Sequence, residues 1–589
     1  MKISLLNISL LFICLLKLPV AIAQEVKKID YTSDRTLKDE KNYPGAIILS
    51  KVNNQVYFVH EGIEIWCDQA IHYDQANFFK AYGNVRMQQG DTVTMKSNYA
   101  EYNGTTQFAF ASGKVKMTRP QSSLETDSLF FDRLKQQAYY RSGGTVRDTA
   151  SVLTSRIGRY YMKDDKYSFL SKVVVTNPKY VMNSEQLDFY SDSGHAYLYG
   201  PTTIVSETST VYCERGFYDT RGDVGYFVKN SRIDYENRIL EGDSLYFNRN
   251  RSFASGTNNI RVTDTLNNSL ITGHYAEVFR AKDSVFITKR AVAVTLQEKD
   301  SIFIHSDTLM ITGKPENRIV RGFYDVRMYK SDMSGKSDSV YVNQKTGITK
   351  FINISKGPKV TTDLKRNPVI WSGNNQITGD TIHLISNPKT ERLDSLRVFY
   401  DSFLIQKDSI EGYNQVKGKE LTGLFVNNEL HQVDIVKNTE TIYYSRNEET
   451  ELVGINKTLS SSIKILFENK DIKDIYYYTK VEGTLTPPEE FPTNARKLIG
   501  FNWRGEERLL KKEDLFAGQT PPQLVKITGI PLPEVEENFF EENDETQPLL
   551  NENSRLKPGD LKDKKIDSLI VPETPVDLKK NKVIEEDNN

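Results

Sequence analysis

The sequence has little cysteine, little methionine and almost no charge imbalance. Its 589 residues include three cysteines, nine methionines, and 77 basic against 78 acidic side chains, for a formal net charge of −1. Balanced charge argues against a nucleic-acid partner, since a phosphate-binding domain carries a basic excess or a basic face. Beyond residue 23, no run approaches the roughly 18 uninterrupted apolar residues of a membrane-spanning helix. The mature chain is therefore predicted to lack a transmembrane segment.

Motifs that carry chemistry are also missing. The seven histidines are scattered without an H-x-x-x-H or H-E-x-x-H pair, and no P-loop, G-x-S-x-G or G-x-G-x-x-G motif occurs. We therefore predict no catalytic residue, no metal site and no cofactor, so the chain is not expected to be an enzyme.

The two ends of the chain differ from the middle. The N-terminus is predicted to be a cleaved secretory signal at 1–23, with an uncleaved anchor as the alternative. The prediction depends on Lys2, an apolar run over 3–18 and the small-x-small pattern at 21–23. Residues 24–44 are interpreted as a linker. Eleven of the 20 prolines lie in 487–589, and 534–552 holds eight acids and no base. These features predict a small cap at 487–514 and a disordered tail at 515–589.

The middle of the chain repeats with a period of 29 residues. Pairs of apolar residues at i and i+2 recur, and the second member is always aromatic between residues 73 and 247. Clear repeats are predicted over 45–350 and a divergent continuation over 351–486. The aromatic members are Tyr73, Tyr102, Phe131, Tyr160, Phe189, Tyr218 and Phe247.

The spacing within each unit indicates strands. Alternation with period 2 is typical of a strand that has one buried face, and each unit has room for two strands or three shorter ones. Such a unit cannot bury its inner face alone, so stacking is required. The expected fold is all-β, an elongated open β-jelly-roll or β-solenoid. One strand spacing of about 4.8 Å per unit would give about twelve units a length near 60 Å.

Polar dipeptides precede most of the apolar pairs and are predicted to form turns, because aspartate, asparagine, serine and glycine favour them. Their aspartates also resemble the carboxylate ladder of a glycan-cleaving β-helix, but the turn-forming context favours a structural role. The two cysteines after the signal, Cys67 and Cys213, lie five units apart. At one strand spacing per unit this is about 24 Å, too far for a disulfide.

The inward-facing positions are the candidate binding residues. If the interior takes up a ligand, its lining is predicted to be the seven aromatic residues together with Leu129, Leu187, Leu245, Val85 and Val115. The alternative is that these side chains only fill a core, as inward aromatic residues do in any stacked β structure.

The unit S-D-x-L/A-x-Y followed by A-x-G-x-V resembles the OstA-like (organic solvent tolerance A, LptA-type) family of periplasmic lipopolysaccharide-transport proteins. The resemblance is clearest in QAIHYDQANFFKAYGNVRM (69–87), SNYAEYNGTTQFAFASGKVKM (97–117) and TDSLFFDRLKQQAYYRSGGTV (126–146). It implies a twisted open β-jelly-roll whose apolar interior holds acyl chains, and whose ends dock edge to edge with related proteins or with copies of itself.

The resemblance implies a periplasmic carrier or bridge for lipopolysaccharide in outer-membrane biogenesis, associated with the outer membrane or free in the periplasm. Two departures stand out: the chain has many more repeats than a short bridge protein, and it ends in a polar, proline-rich tail. The alternatives are a secreted structural or adhesive β-solenoid and a glycan-active β-helix enzyme.

Overall fold

The computed structural model describes residues 27–528, except positions 92, 267, 296–300, 355–366, 389, 391, 409 and 428. The predicted signal and the predicted tail beyond residue 528 lie outside the described residues. The described chain is almost entirely antiparallel strand, which confirms the all-β prediction.

Short strands open the fold: β1 Asp30–Thr32, β2 Arg35–Leu37, β3 Ile47–Ser50, β4 Val56–His60, β5 Ile63–Cys67 and β6 Gln69–Tyr73. Longer strands follow, with a broken stretch from β11 to β14: β7 Phe78–Gln89, β8 Val93–Asn103, β9 Phe108–Thr118, β10 Ser123–Asp132, β11 Gln137–Tyr140, β12 Gly144–Arg147, β13 Val152–Ser155, β14 Ile157–Tyr161, β15 Lys166–Asn177, β16 Tyr180–Tyr190, β17 His195–Ser206, β18 Ser209–Asp219, β19 Val224–Tyr235, β20 Arg238–Asn248, β21 Phe253–Asp264, β22 Ser269–Phe279, β23 Ser284–Thr295, β24 Ile302–Thr312, β25 Ile319–Lys330 and β26 Met333–Asn343.

The remaining strands are β27 Ile348–Ile352, β28 Val369–Ser372, β29 Asn375–Thr378, β30 Thr381–Ser386, β31 Leu393–Lys407, β32 Tyr413–Val426, β33 Glu429–Arg446, β34 Leu452–Glu468, β35 Asp471–Tyr478 and β36 Glu482–Thr486. Short 3-10 helices lie at Arg280–Lys282, Pro315–Asn317, Thr493–Ala495, Gly505–Glu507 and Lys512–Phe516.

Consecutive long strands pair antiparallel, so each 29-residue unit contributes two strands. The aromatic positions lie on β16, β18 and β20, while β17 and β19 run back between them. The predicted advance of one strand spacing per unit is therefore wrong. Each unit advances two spacings, about 9.6 Å, and the separation estimated for the two cysteines doubles.

Each long strand bends near its middle, where its pairing register shifts. In β8 and β9, for example, the register breaks between Lys96 and Tyr99. Residues 99–103 and 108–112 pair on one side of the bend, and 94–96 and 116–118 on the other. We call the arms that carry the aromatic positions sheet I and the other arms sheet II. Because a bulge kinks a strand and strengthens its twist, the two sheets face each other across an apolar interior.

The bends explain the recurring polar dipeptides, whose prediction as turns is wrong. Asp243 lies at the bend of β20, where the chain continues in the same direction from one sheet to the other. The next strand bends through two left-handed residues, Asn258 and Asn259, with φ of 60° and 48°. Asn259 Nδ2 donates to Asp243 Oδ2 at 2.8 Å, and Asn84 donates to Asp68 at 2.5 Å in the same relation, 16 residues apart. The aspartates therefore hold the corner between the sheets.

The segment after β36 runs back along the stacked strands rather than away from them. Gln415 Nε2 donates to the Arg496 carbonyl at 2.8 Å, and Gln376 Nε2 to the Asn502 carbonyl at 2.7 Å. Further back, Asn258 Nδ2 donates to the Val525 carbonyl at 2.7 Å. We call residues 487–528 the strap. It includes 515–528, which the sequence placed in the disordered tail.

The strap adds side chains to the packed core. Leu498 packs with Phe403 and Tyr444, and Leu515, only 2% exposed, packs with Val292 and Trp371. Trp503 lies against Tyr413, with ring centroids 5.3 Å apart. The strap is thus a structural part of the C-terminal half.

Candidate functional site

Eleven of the twelve predicted lining residues lie between the two sheets. The twelfth, Tyr73, lies on the outer face beside Phe78, because its neighbour His72 pairs with the inward Phe79. Tyr73 is half-buried, and the other eleven are at most 3% exposed. Each aromatic member is the next-to-last residue of its strand, or the last in the case of Tyr73, so the ring lies beside the turn at the sheet I edge. The structure brings the eleven inward side chains, without Tyr73, into one continuous apolar cluster that extends from Ile29 to Val320.

A second ladder, of small residues on the intervening strands, alternates with the aromatic one along sheet I and was missed from the sequence. Phe131 pairs with Ala109 on one side and Ala138 on the other, and Phe247 pairs with Gly225 and Ala254. The period alone would have found this ladder, because its members also recur every 29 residues: Ala109, Ala138, Tyr167, Ala196, Gly225 and Ala254. Large rings alternating with small residues along sheet I fill the interior.

Tyr167 is the exception in the small ladder, and it stacks on Tyr160 with ring centroids 4.4 Å apart. The buried tyrosine hydroxyls keep polar partners at the sheet edge. Tyr160 donates to Asp165 at 2.7 Å, and the Tyr102 hydroxyl lies 2.8 Å from His60 Nδ1. Burial raises the pKa of Tyr102 to about 12, so this hydroxyl stays protonated at neutral pH.

The interior is filled, but part of it is filled by methionine. A cavity of ≈ 10 Å³ between β7 and β14 is lined by Leu129, Phe131 and four of the chain's nine methionines, Met87, Met95, Met117 and Met162. A space of this size is about that of a single water. Unbranched methionine side chains repack easily around a guest, because three rotatable bonds let them adapt.

The free edges of the two sheets meet along a seam, where turns of sheet I contact turns of sheet II. Arg133 Nη1, in the turn after β10, donates to Glu61 Oε2 at 3.1 Å, from a position 72 residues away. Lys179 Nζ, in the turn after β15, lies 2.5 Å from Asp223 Oδ2 in the turn after β18. These contacts bridge the seam at two places.

Some of the seam pairs are buried. Arg318 is 1% exposed, and its Nη2 lies 3.0 Å from Asp264 Oδ2. Arg119 Nη2 lies 2.5 Å from Asp165 Oδ1, and its guanidinium also covers the Tyr160 ring at 4.9 Å. Breaking a buried pair by removing one partner is costly, whereas exposed pairs contribute little. The seam is therefore most strongly stabilised at the buried Arg318–Asp264 pair, and less strongly where its ion pairs are exposed to solvent.

The described residues contain one candidate metal site, and two of its three residues already have other partners. His305, Asp307 and Asp325 lie close enough to share a metal ion. However, His305 Nδ1 lies 2.8 Å from the Ala291 carbonyl, and its Nε2 lies 2.8 Å from Gln519 of the strap. Asp325 pairs with Arg327 at 2.8 Å. These contacts give the group a structural role in holding the strap.

Cys67 and Cys213 are both free and buried. Among the described residues, no helix is long and apolar enough to cross a membrane.

Comparisons with known proteins address the family. Residues 27–185 match the model of the family described as OstA-like protein, which confirms the resemblance for this region. A similar solved structure is that of LptH from Pseudomonas aeruginosa, described as the LptA-homologous periplasmic component of the conserved lipopolysaccharide transport device. The two share 13% identity over 23% of this chain and 94% of that chain, with a TM-score of 0.20. No curated protein matches this chain.

Proposed function

This chain carries an OstA-like region at residues 27–185, and on that premise we propose that it is a periplasmic carrier or bridge for lipopolysaccharide in outer-membrane biogenesis. The single observation that carries the proposal is that this region encloses an apolar interior lined by adaptable methionine side chains. In this proposal the chain binds and shields lipid and performs no catalysis.

Acyl chains supply the driving force for such binding. Each buried CH₂ group contributes about 0.8 kcal/mol, so ten of them contribute about 8 kcal/mol before the interior is rearranged. The cavity of ≈ 10 Å³ is far too small for a chain. Entry therefore requires Met87, Met95 and Met117 to repack, or the seam to part. The eleven inward lining residues are the groups that an acyl chain would touch.

The chain's partners are proposed from its strand edges. In the described residues β1 and β2 each pair on one side only, with β4 and β3, and β35 and β36 each pair with β34. An unpaired strand edge accepts another strand. We therefore propose that other lipopolysaccharide-transport proteins, or further copies of this chain, dock edge to edge at these two ends.

The test uses the full chain with a photoreactive benzoylphenylalanine at one of two adjacent positions. Phe131 points into the interior and is 3% exposed. Phe130, the next residue, packs on the outer face against Phe110 and Tyr139. The two variants therefore sample opposite faces of one strand. In Gram-negative cells, irradiation should cross-link lipopolysaccharide to position 131 and not to position 130.

Equal cross-linking at both positions, or none at either, would contradict lipid carriage in the interior. A second measurement does not depend on the variants folding. The unmodified chain, purified from the same cells without detergent, should release acyl chains when it is extracted with solvent and analysed by mass spectrometry.

A further inference from the structure

A basic cleft of ≈ 630 Å³ lies on the seam, where the turns after β15, β17, β20 and β22 meet. Three bases line it, Lys179, Arg249 and Arg280, with Glu207 as the acid in the lining. Lys179 is already paired with Asp223. The two arginines therefore supply the cleft's available positive charge.

Aromatic rings hold both arginines in place. The Arg280 Cζ atom lies 3.7 Å from the centre of the Tyr235 ring, and Arg280 Nη2 donates to Thr208 Oγ1 at 2.8 Å. The Arg249 Cζ atom lies 5.8 Å from the centre of the Tyr180 ring and 5.3 Å from that of Phe247. Stacking on an aromatic ring fixes the position of a guanidinium. Its N–H groups remain directed outward in the plane of the guanidinium itself.

Both arginines have a buried donor that lacks an acceptor. The Nε atoms of Arg249 and Arg280 are buried and make no hydrogen bond. A buried donor left unsatisfied is destabilising, and more so when it is charged, so such groups usually mark a missing partner. Guanidinium groups match the oxygens of phosphate in bidentate geometry.

The cleft borders a cavity in the apolar interior. A cavity of ≈ 30 Å³ lies beside it, lined by Leu240, Phe247, Val262 and Val278, and Arg280 lines both spaces. Its wall contains a further buried donor without a partner, Nη1 of Arg238. Charge at the surface and hydrocarbon contacts beneath it are what an anionic amphiphile requires.

We propose that this cleft is a lateral binding site for an anionic lipid, in which Arg249 and Arg280 hold the phosphate groups at the seam while the acyl chains enter the interior beside Phe247. The site rests on the proposed function and makes it more specific, because it assigns the head group to one place on the seam. Phosphate is the recognised chemistry, and the source is the lipid head group rather than free phosphate.

The experiment compares three probes on the full chain: bisphosphorylated lipid A, the same lipid enzymatically dephosphorylated, and inorganic phosphate. The variant Arg249→Gln/Arg280→Gln removes both charges. Arg251→Gln is the matched control, since Arg251 belongs to the same turn as Arg249 but is exposed and does not line the cleft. Arg249→Lys keeps a charge without the planar fork. Circular dichroism establishes that each variant keeps its strand content.

The double variant should bind phosphorylated lipid A at least tenfold more weakly and the dephosphorylated lipid with unchanged affinity. Arg251→Gln should match the parent protein, and Arg249→Lys should fall between them. An equal loss for both lipids, or no loss, overturns the cleft while lipid carriage stands. If the parent protein binds neither lipid, the proposed function fails, and inorganic phosphate bound in that case would also exclude a lipid source. If the double variant unfolds, the comparison of the two lipids on the parent protein decides, since equal affinity refutes a phosphate site.

Discussion

Gly225 tests whether the interior is packed by matched large and small residues. It lies between Tyr218 and Phe247 in the pairing of β18, β19 and β20. A Cβ atom added at Gly225 would lie 2.3 Å from Cζ of Phe227 and 3.0 Å from Cδ2 of Tyr218. Because Phe227 is fully buried, its ring has no room to retreat. Gly225→Ala should therefore destabilise this unit by about 1–3 kcal/mol, the usual cost of overpacking.

The neighbouring unit supplies the compensating change. At the positions equivalent to Gly225 and Phe227, one unit earlier, the chain has Ala196 and Leu198, both fully buried. The double variant Gly225→Ala/Phe227→Leu copies that pair and should recover most of the lost stability. Residues in direct contact are expected to couple in this way.

Hydrogen exchange read by mass spectrometry is the appropriate assay, because units of a repeat array open locally. Exchange of β18–β20 should quicken roughly 5- to 150-fold in Gly225→Ala, which is the stated free energy expressed as a ratio. The double variant should return to near the parent rate. An unchanged rate in the single variant, or no recovery in the double variant, would refute the matched packing.

Two further predictions concern titrating groups. Burial would raise the pKa of Glu507, but hydrogen bonds from Arg504 and Lys336 outweigh it and lower the pKa from 4.5 to about 2. The stabilisation of the strap by the ionised Glu507 is therefore complete above about pH 4.5 and is lost as the pH falls towards 2. The rate of hydrogen exchange in the strap should rise over that pH range. Glu507→Gln should remove this pH dependence. Burial also raises the pKa of Cys67 and Cys213 to about 12; at about pH 8 neither thiol should react with Ellman's reagent until denaturant is added, and rapid native labelling would count against their burial.

The local sequence pattern was sufficient to predict the strands and most of the residues that face inward. Alternation placed Leu129 and Phe131 inside and Phe130 outside, because neighbouring side chains of a strand point to opposite faces. The small ladder that includes Ala109 and Gly225 follows the same 29-residue step. One period therefore specifies both the large and the small residues of sheet I. The bends at Asp68 and Asp243 were located correctly and interpreted wrongly, since polar, glycine-rich stretches favour both a reversal and a bulge.

The sequence by itself determined that this chain is all-β, that six of its seven repeating aromatic residues lie in a common interior, and that its repeating region resembles the OstA-like family. Only the tertiary structure decided that turns of the two sheets meet at the seam, that the strap returns as far as Asn258, and that Arg249 and Arg280 line one cleft. The seam and strap contacts join residues 44 to 267 positions apart. Such pairs depend on the accumulated twist and bend of many strands, which no window of the sequence contains.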